Sequence, residues 1–89
     1  MFEWDDAKAR RNMQKHGVSF AEAVTTFDDV RGLDGEDLLH STREARRLRL
    51  ARSSAGRVLV VAYTIRAAAV RIISARRASR KERDRYAEA

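Results

Sequence analysis

The sequence predicts an α+β fold, a small antiparallel sheet with two N-terminal helices on one face and a C-terminal helix. Three observations predict it. Two helix-start signals come early, Asp5 ahead of Asp6–His16 and the Ser19–Glu22 capping box. Three strand-like runs follow, Arg47–Arg52, Val58–Ile65 and Val70–Arg76. The links between these runs are too short for parallel crossovers, so the strands must form an antiparallel meander. With 89 residues the chain suits a single domain over 1–89 built on one core.

Each element follows from its residues. Phe2-Glu3-Trp4 reads as a short first strand. Asp5 caps a helix that runs to His16, where Gly17 ends it; Ala9 and Met13 give it a narrow apolar stripe, and Lys8, Arg11 and Lys15 a basic one. After Ser19, the residues Phe20, Ala23, Val24 and Phe27 recur at helical spacing and pack one side on the core, until Asp28-Asp29. Residues 30–39 hold room for a short strand weakened by Gly32 and Gly35. In 47–52, Leu48 and Leu50 alternate with Arg47 and Arg49, which predicts a half-buried strand with a basic outer face. Ser53–Gly56 is a turn and not a phosphate loop, since the lysine of a P-loop is missing. Val58–Ile65 is apolar on both faces, as a central strand is. Arg66–Ala69 turns the chain into Val70–Arg76. Ser79 and Glu82 open a terminal helix with little besides Tyr86 to bury, so loose docking is expected.

Composition narrows the function. There is no cysteine, which excludes disulfides and thiolate metal sites and favours a cytoplasmic protein. The acidic start Met1–Asp6 lacks the apolar run of a signal peptide, and no membrane segment is expected. The net charge is +6, unevenly placed: residues 1–40 carry five Lys/Arg against nine Asp/Glu, residues 41–89 fourteen against four. Such a basic half attracts polyanions. A strand that sets Arg71 between buried apolar neighbours holds a guanidinium in place, and a fixed guanidinium suits a phosphodiester. His16 and His40 lack metal-ligand spacing, so neither metal nor cofactor is expected.

Phe2-Glu3-Trp4-Asp5 with Lys8, His16–Ala23 and Phe27-Asp28-Asp29, then His40-Ser41 with Glu44 and Arg46, Arg52-Ser53, Gly56-Arg57, Tyr63-Thr64 and Arg71–Arg76 fall in one order. In these residues the chain resembles the BrnT toxins over nearly its whole length. The resemblance implies a RelE-like fold and a ribonuclease toxin of a type II toxin–antitoxin system that inhibits translation by cleaving RNA. It also implies a ribbon-helix-helix, BrnA-like antitoxin, with operator DNA bound only through the complex. Two positions depart from the family pattern. Ala51 stands where many members have glycine, and Thr64–Ala69 lacks the usual acid and glycine, which predicts a longer or strained turn.

RNA cleavage by the 2′-hydroxyl needs in-line geometry, charge stabilisation on the phosphorane and proton transfer, but no metal. Arg71 and Arg76 are the first candidates for the charge, then Arg66. In a regular strand residues 71 and 76 face opposite sides, so they converge only if the strand breaks or bulges near Ser74-Ala75. His16 is the candidate proton carrier, although a histidine there also suits a helix C-terminus. Tyr63 and Tyr86 suit packing, and His40 has no assigned role. Lys8, Lys15, Arg47, Arg49, Arg80 and Lys81 are the candidate RNA contacts. The competing function is a nucleic-acid-binding co-repressor subunit that does not cut.

Overall fold

The structure is a computed structural model and describes residues 1–41 and 45–89. Glu44 of the family-like motif lies outside the described residues. Strand β1 is Phe2–Glu3, helix α1 Asp6–His16 and helix α2 Phe20–Thr25, which tightens into a 3₁₀ turn at Thr26–Asp28. Then come β2 Leu33–Glu36, β3 Arg47–Arg52, β4 Val58–Arg66, β5 Ala69–Arg77 and helix α3 Arg80–Glu88. The sheet order is β1-β5-β4-β3-β2. All pairs are antiparallel except β1 with β5, which is parallel.

The helix ends behave as their residues dictate. The Asp5 side chain accepts from Lys8 N at 2.9 Å, and Gly17 closes α1 at φ 67°, a left-handed conformation that costs glycine nothing. Ser19 accepts from Glu22 N, and Ser79 and Glu82 form a reciprocal box at the start of α3.

The sheet is covered on both faces. On one, α1 and α2 bury Val18, Phe20 and Ala23 against Leu59, Val61, Tyr63, Ile72 and Ala75. On the other, α3 buries Ala78 and Tyr86 against Val58 and Val60, flanked by Leu48 and Leu50. The terminal helix is therefore not loosely docked. The Tyr86 hydroxyl donates to the Asp29 carboxylate at 2.6 Å and the Arg52 guanidinium lies 5.6 Å from the centre of its ring.

This second core corrects the expected basic outer face at Arg47 and Arg49. The alternation is right and the side is reversed: Leu48 and Leu50 face α3, which turns the arginines toward α1, α2 and the 3₁₀ turn. Arg49 is only 8% exposed. Its Nε donates to Thr26 O at 2.9 Å, one terminal nitrogen to Asp29 O at 2.6 Å and the other to Asp34, while Phe27 lies beneath it. A Cβ at Gly32 would run into this guanidinium, so glycine is required there for close approach. Arg47 is half-buried and donates from Nε to the Tyr63 hydroxyl at 3.2 Å.

Asn12, in the middle of α1, ties that helix to the sheet. Its side-chain nitrogen donates to Val18 O and Ala75 O, and its oxygen accepts from Ala75 N. β1 pairs with β5 only at Val70 and Arg71, so the buried amide serves Ala75 as a neighbouring strand would.

The turn between β4 and β5 is shorter than the four residues expected. Arg66 pairs with Ala69, leaving Ala67 and Ala68 at φ 45° and 69°. Two positive φ angles in a two-residue hairpin are the type I′ pattern, which normally calls for Asn-Gly. The turn is thus strained, not lengthened, because left-handed backbone costs an L-residue roughly 1–2 kcal/mol. The double substitution Ala67→Asn with Ala68→Gly is expected to raise stability by about 1–2 kcal/mol. Thermal denaturation checks it, with the melting temperature rising by about 4 °C or more.

Candidate active site

The ladder between β4 and β5 slips once. Ala62 faces Ser74 and Tyr63 faces Ile72, so Ile73 has no partner opposite and forms a bulge. The bulge shifts the alternation by one residue. Before it, Val70 and Ile72 pack on the α1/α2 side; after it, Ala75 does. Arg71 and Arg76 therefore share the opposite face, the one carrying α3. They stand level with Thr64 and Val60, four ladder steps apart, or roughly 14 Å along the strand.

Both guanidiniums are held by carboxylates. Arg71 donates to Glu3 at 2.8 Å, across from β1. Arg76 makes a two-pronged contact with Glu82 at 2.8 and 2.9 Å. The pair fixes the planar groups where an anion could replace or join the carboxylate. Arg66 lies on the same face by alternation, exposed at the far end of β4 beside the turn.

A row of side chains crosses the sheet at Arg71. Thr64 is its partner on β4, and Glu3 its partner on β1. One step beyond the Arg47–Tyr63 pair brings Arg46 level with Thr64, and alternation puts its side chain on the face of Leu48. The Thr64 hydroxyl donates to Ala45 O at 2.7 Å, which pins this corner. The Arg46 Nε is buried and has no hydrogen-bond partner among the described residues. A buried donor without a partner is rare, because desolvating it costs about 1–3 kcal/mol. Arg46 stood in the sequence only within the family-like motif with His40 and Ser41; no periodicity marks it as a site residue, because the burial of its Nε is tertiary.

The other expected contacts are dispersed. His16 and Lys15 end α1 and border a cleft of about 460 Å³ with Arg76, Arg77 and Arg83, round the edge of the sheet. A second cleft of about 520 Å³ continues from Arg77 and Arg83 to Arg31, Arg52 and Arg57. Lys8, Arg80 and Lys81 are exposed on α1 and α3. Arg49 is removed from the RNA contacts by its burial under the 3₁₀ turn. Among the described residues no three His, Asp or Glu side chains gather as a metal site requires, and no helix is long and apolar enough to cross a membrane.

Glu82 carries the largest carboxylate perturbation. Its hydrogen bonds to Arg76, opposed by partial burial and aided by Ser79 N, hold its pKa at about 2. A carboxyl depressed below its ordinary 4.5 stabilises the fold fully above that value, and the stabilisation is lost as pH falls toward 2. The Arg76 and Glu82 side chains are 44% and 32% exposed, so solvent screening reduces the contribution to about 1 kcal/mol or less. Denaturant midpoints measured between pH 5 and pH 2 are expected to fall less steeply in Glu82→Gln than in the unmodified chain.

No curated protein sequence matches the chain. Among solved structures it is similar to the Brucella abortus ribonuclease toxin BrnT, with a TM-score of 0.67 and 21% identity over 90% of this chain and 99% of that one. That likeness shows the fold. The family model for BrnT, described as the ribonuclease toxin of a type II toxin–antitoxin system, matches residues 4–82. With that match spanning strands β2 to β5, the bulge and the start of α3, the chain belongs to the BrnT family of ribonuclease toxins of type II toxin–antitoxin systems, and an antitoxin is its partner.

Proposed function

We propose that the chain is a metal-independent endoribonuclease that cuts RNA on the sheet face carrying Arg71. One observation carries the reading: the bulge at Ile73 puts Arg71 and Arg76 on one face of β5. On this reading Arg71 receives the scissile phosphate, with Arg46 and Arg66 beside it, and Arg76 receives a neighbouring phosphate. Guanidiniums suit the task because they stay charged and bind two oxygens of a phosphate at once. The arginine-lined clefts round Arg77 and Arg83, with Lys15 and His16 at their rim, give the flanking strand its path. Arg80, Lys81 and Lys8 add to the field that draws RNA in.

The antitoxin is a ribbon-helix-helix protein whose acidic or amphipathic segment covers this face, and operator DNA is bound through the complex. Translation inhibition in the cytoplasm follows from the cleavage.

The test is cleavage of end-labelled RNA by the purified protein in excess EDTA. Fragments ending in a 2′,3′-cyclic phosphate are expected, and a deoxynucleotide at the scissile position abolishes them. Cleavage that EDTA stops would overturn metal independence. Binding of RNA with no cleavage would favour the co-repressor role. Undiminished cleavage by the purified toxin–antitoxin complex would show that the antitoxin does not cover the site.

A further inference from the structure

We infer that His40, held by Asp37, is the residue that takes the proton from the attacking 2′-hydroxyl. The inference rests on the ribonuclease reading above and adds to it a group that neither the arginines nor His16 supply. His40 Nδ1 lies 2.9 and 3.1 Å from the two carboxylate oxygens of Asp37. Asp37 is buried at 8% exposure, while the His40 side chain is 62% exposed. A buried carboxylate accepting from Nδ1–H fixes the tautomer and leaves the Nε2 lone pair facing outward, ready to accept a proton. Among the described residues His16 has no such carboxylate.

The loop is anchored where the chemistry needs it. Asp37 N donates to Arg46 O at 2.8 Å, and Ser41 Oγ accepts from Arg46 N and donates to Asp37 O. The buried Nε of the same Arg46 has no hydrogen-bond partner among the described residues, and Ala45 O accepts from Thr64, the cross-strand partner of Arg71. Asp37, Arg46, Thr64 and Arg71 thus follow one another along a single row across one end of the sheet, with His40 held at the Asp37 end and Glu3 at the other. Three independent observations point there: an oriented base, an orphan donor and a fixed cation. A phosphodiester answers all three.

The step balances without any other reactant. Nε2 accepts the 2′-hydroxyl proton as the 2′-oxygen bonds to phosphorus. The P–O5′ bond breaks, its electron pair stays on the 5′-oxygen, and that oxygen takes a proton from solvent. The products are a 2′,3′-cyclic phosphate and a 5′-hydroxyl, and the imidazolium returns its proton to water. Asp37 is the positioning residue.

The experiment compares the full chain with His40→Ala and Asp37→Asn on one RNA substrate. His40→Ala is expected to lower kcat by roughly 10²–10⁴-fold with KM little changed. Added imidazole should restore part of the rate, because the site is open. Because the substitution also leaves the Asp37 carboxylate without this partner, the melting temperature is measured beside kcat, and recovery by imidazole separates the chemical role from lost stability. Asp37→Asn should lower kcat less, and should lower it no further in the His40→Ala background. A His40→Ala variant that cuts at the full rate, or whose rate imidazole does not raise, overturns the role of His40 while leaving the ribonuclease reading standing. An unmodified chain that cuts no RNA overturns both.

Discussion

Arg71→Ala is expected to lower the rate of RNA cleavage by roughly 10²–10³-fold, with binding of the antitoxin intact. Removing one fixed donor to the charge that develops in a transition state typically costs about 2.7–4 kcal/mol. Arg71 is placed for that role because Glu3 on the parallel strand β1 holds its guanidinium level with Thr64. A structural role predicts something different. The Arg71–Glu3 pair is partly exposed, at 30% and 39%, so its loss costs about 1 kcal/mol of stability or less. The decisive comparison is therefore kcat against melting temperature in one variant. Arg71→Lys keeps the charge and loses the planar fork, and should recover only part of the rate. If both variants cut normally and merely melt a little earlier, Arg71 is an interstrand ion pair and nothing more. Growth arrest on expression gives the same answer in cells, with arrest lost in Arg71→Ala.

That prediction depends on a feature the sequence states only indirectly. Elements with strong local chemistry were legible: Asp5 and Ser19 start helices, Gly17 ends one, and Ser79 with Glu82 opens the last. The central strand and its two neighbours follow from apolar runs. The expected break in β5 exists, one residue before Ser74, but nothing in Ile72-Ile73-Ser74 separates a bulge from a straight strand. Only the ladder with β4 does. Period-2 alternation also cannot say which face meets which helix. It separated Leu48 and Leu50 from Arg47 and Arg49 and left the side open, because both faces of this sheet are covered. Nothing in the sequence marks Asn12 as a tie to the sheet, since its partner Ala75 lies 63 positions away. His40 and Arg46 stood in the family-like motif, but their tie to Asp37 did not, because it is made by hydrogen bonds that no spacing announces.

Arg49→Met shows how much that reversal of faces matters to stability. Were Arg49 on a solvated basic face, the substitution would fall within about 0.5 kcal/mol of neutral. In the structure it removes three contacts that join β3 to the 3₁₀ turn, Asp29 and β2. Thr26 O and Asp29 O each lose one donor and keep a backbone one, Asp29 N and Gly32 N, and the Asp34 carboxylate loses its cation while still accepting from the Tyr63 hydroxyl. Methionine conserves most of the volume over Phe27, so the loss is electrostatic and not a cavity. Hydrogen bonds to a charged group contribute about 1.5–3 kcal/mol each, so losing these three from one largely buried guanidinium is expected to cost roughly 3 kcal/mol. Domains of this size have only about 5–15 kcal/mol in total. Urea denaturation is expected to show a midpoint lowered by a third or more with an unchanged slope. Gly32→Ala should act through the same guanidinium, because its new methyl group occupies the space the guanidinium fills. The two variants together should destabilise less than the sum of each alone, since one guanidinium underlies both effects. Full additivity would mean that Gly32 serves its turn for a reason unrelated to Arg49.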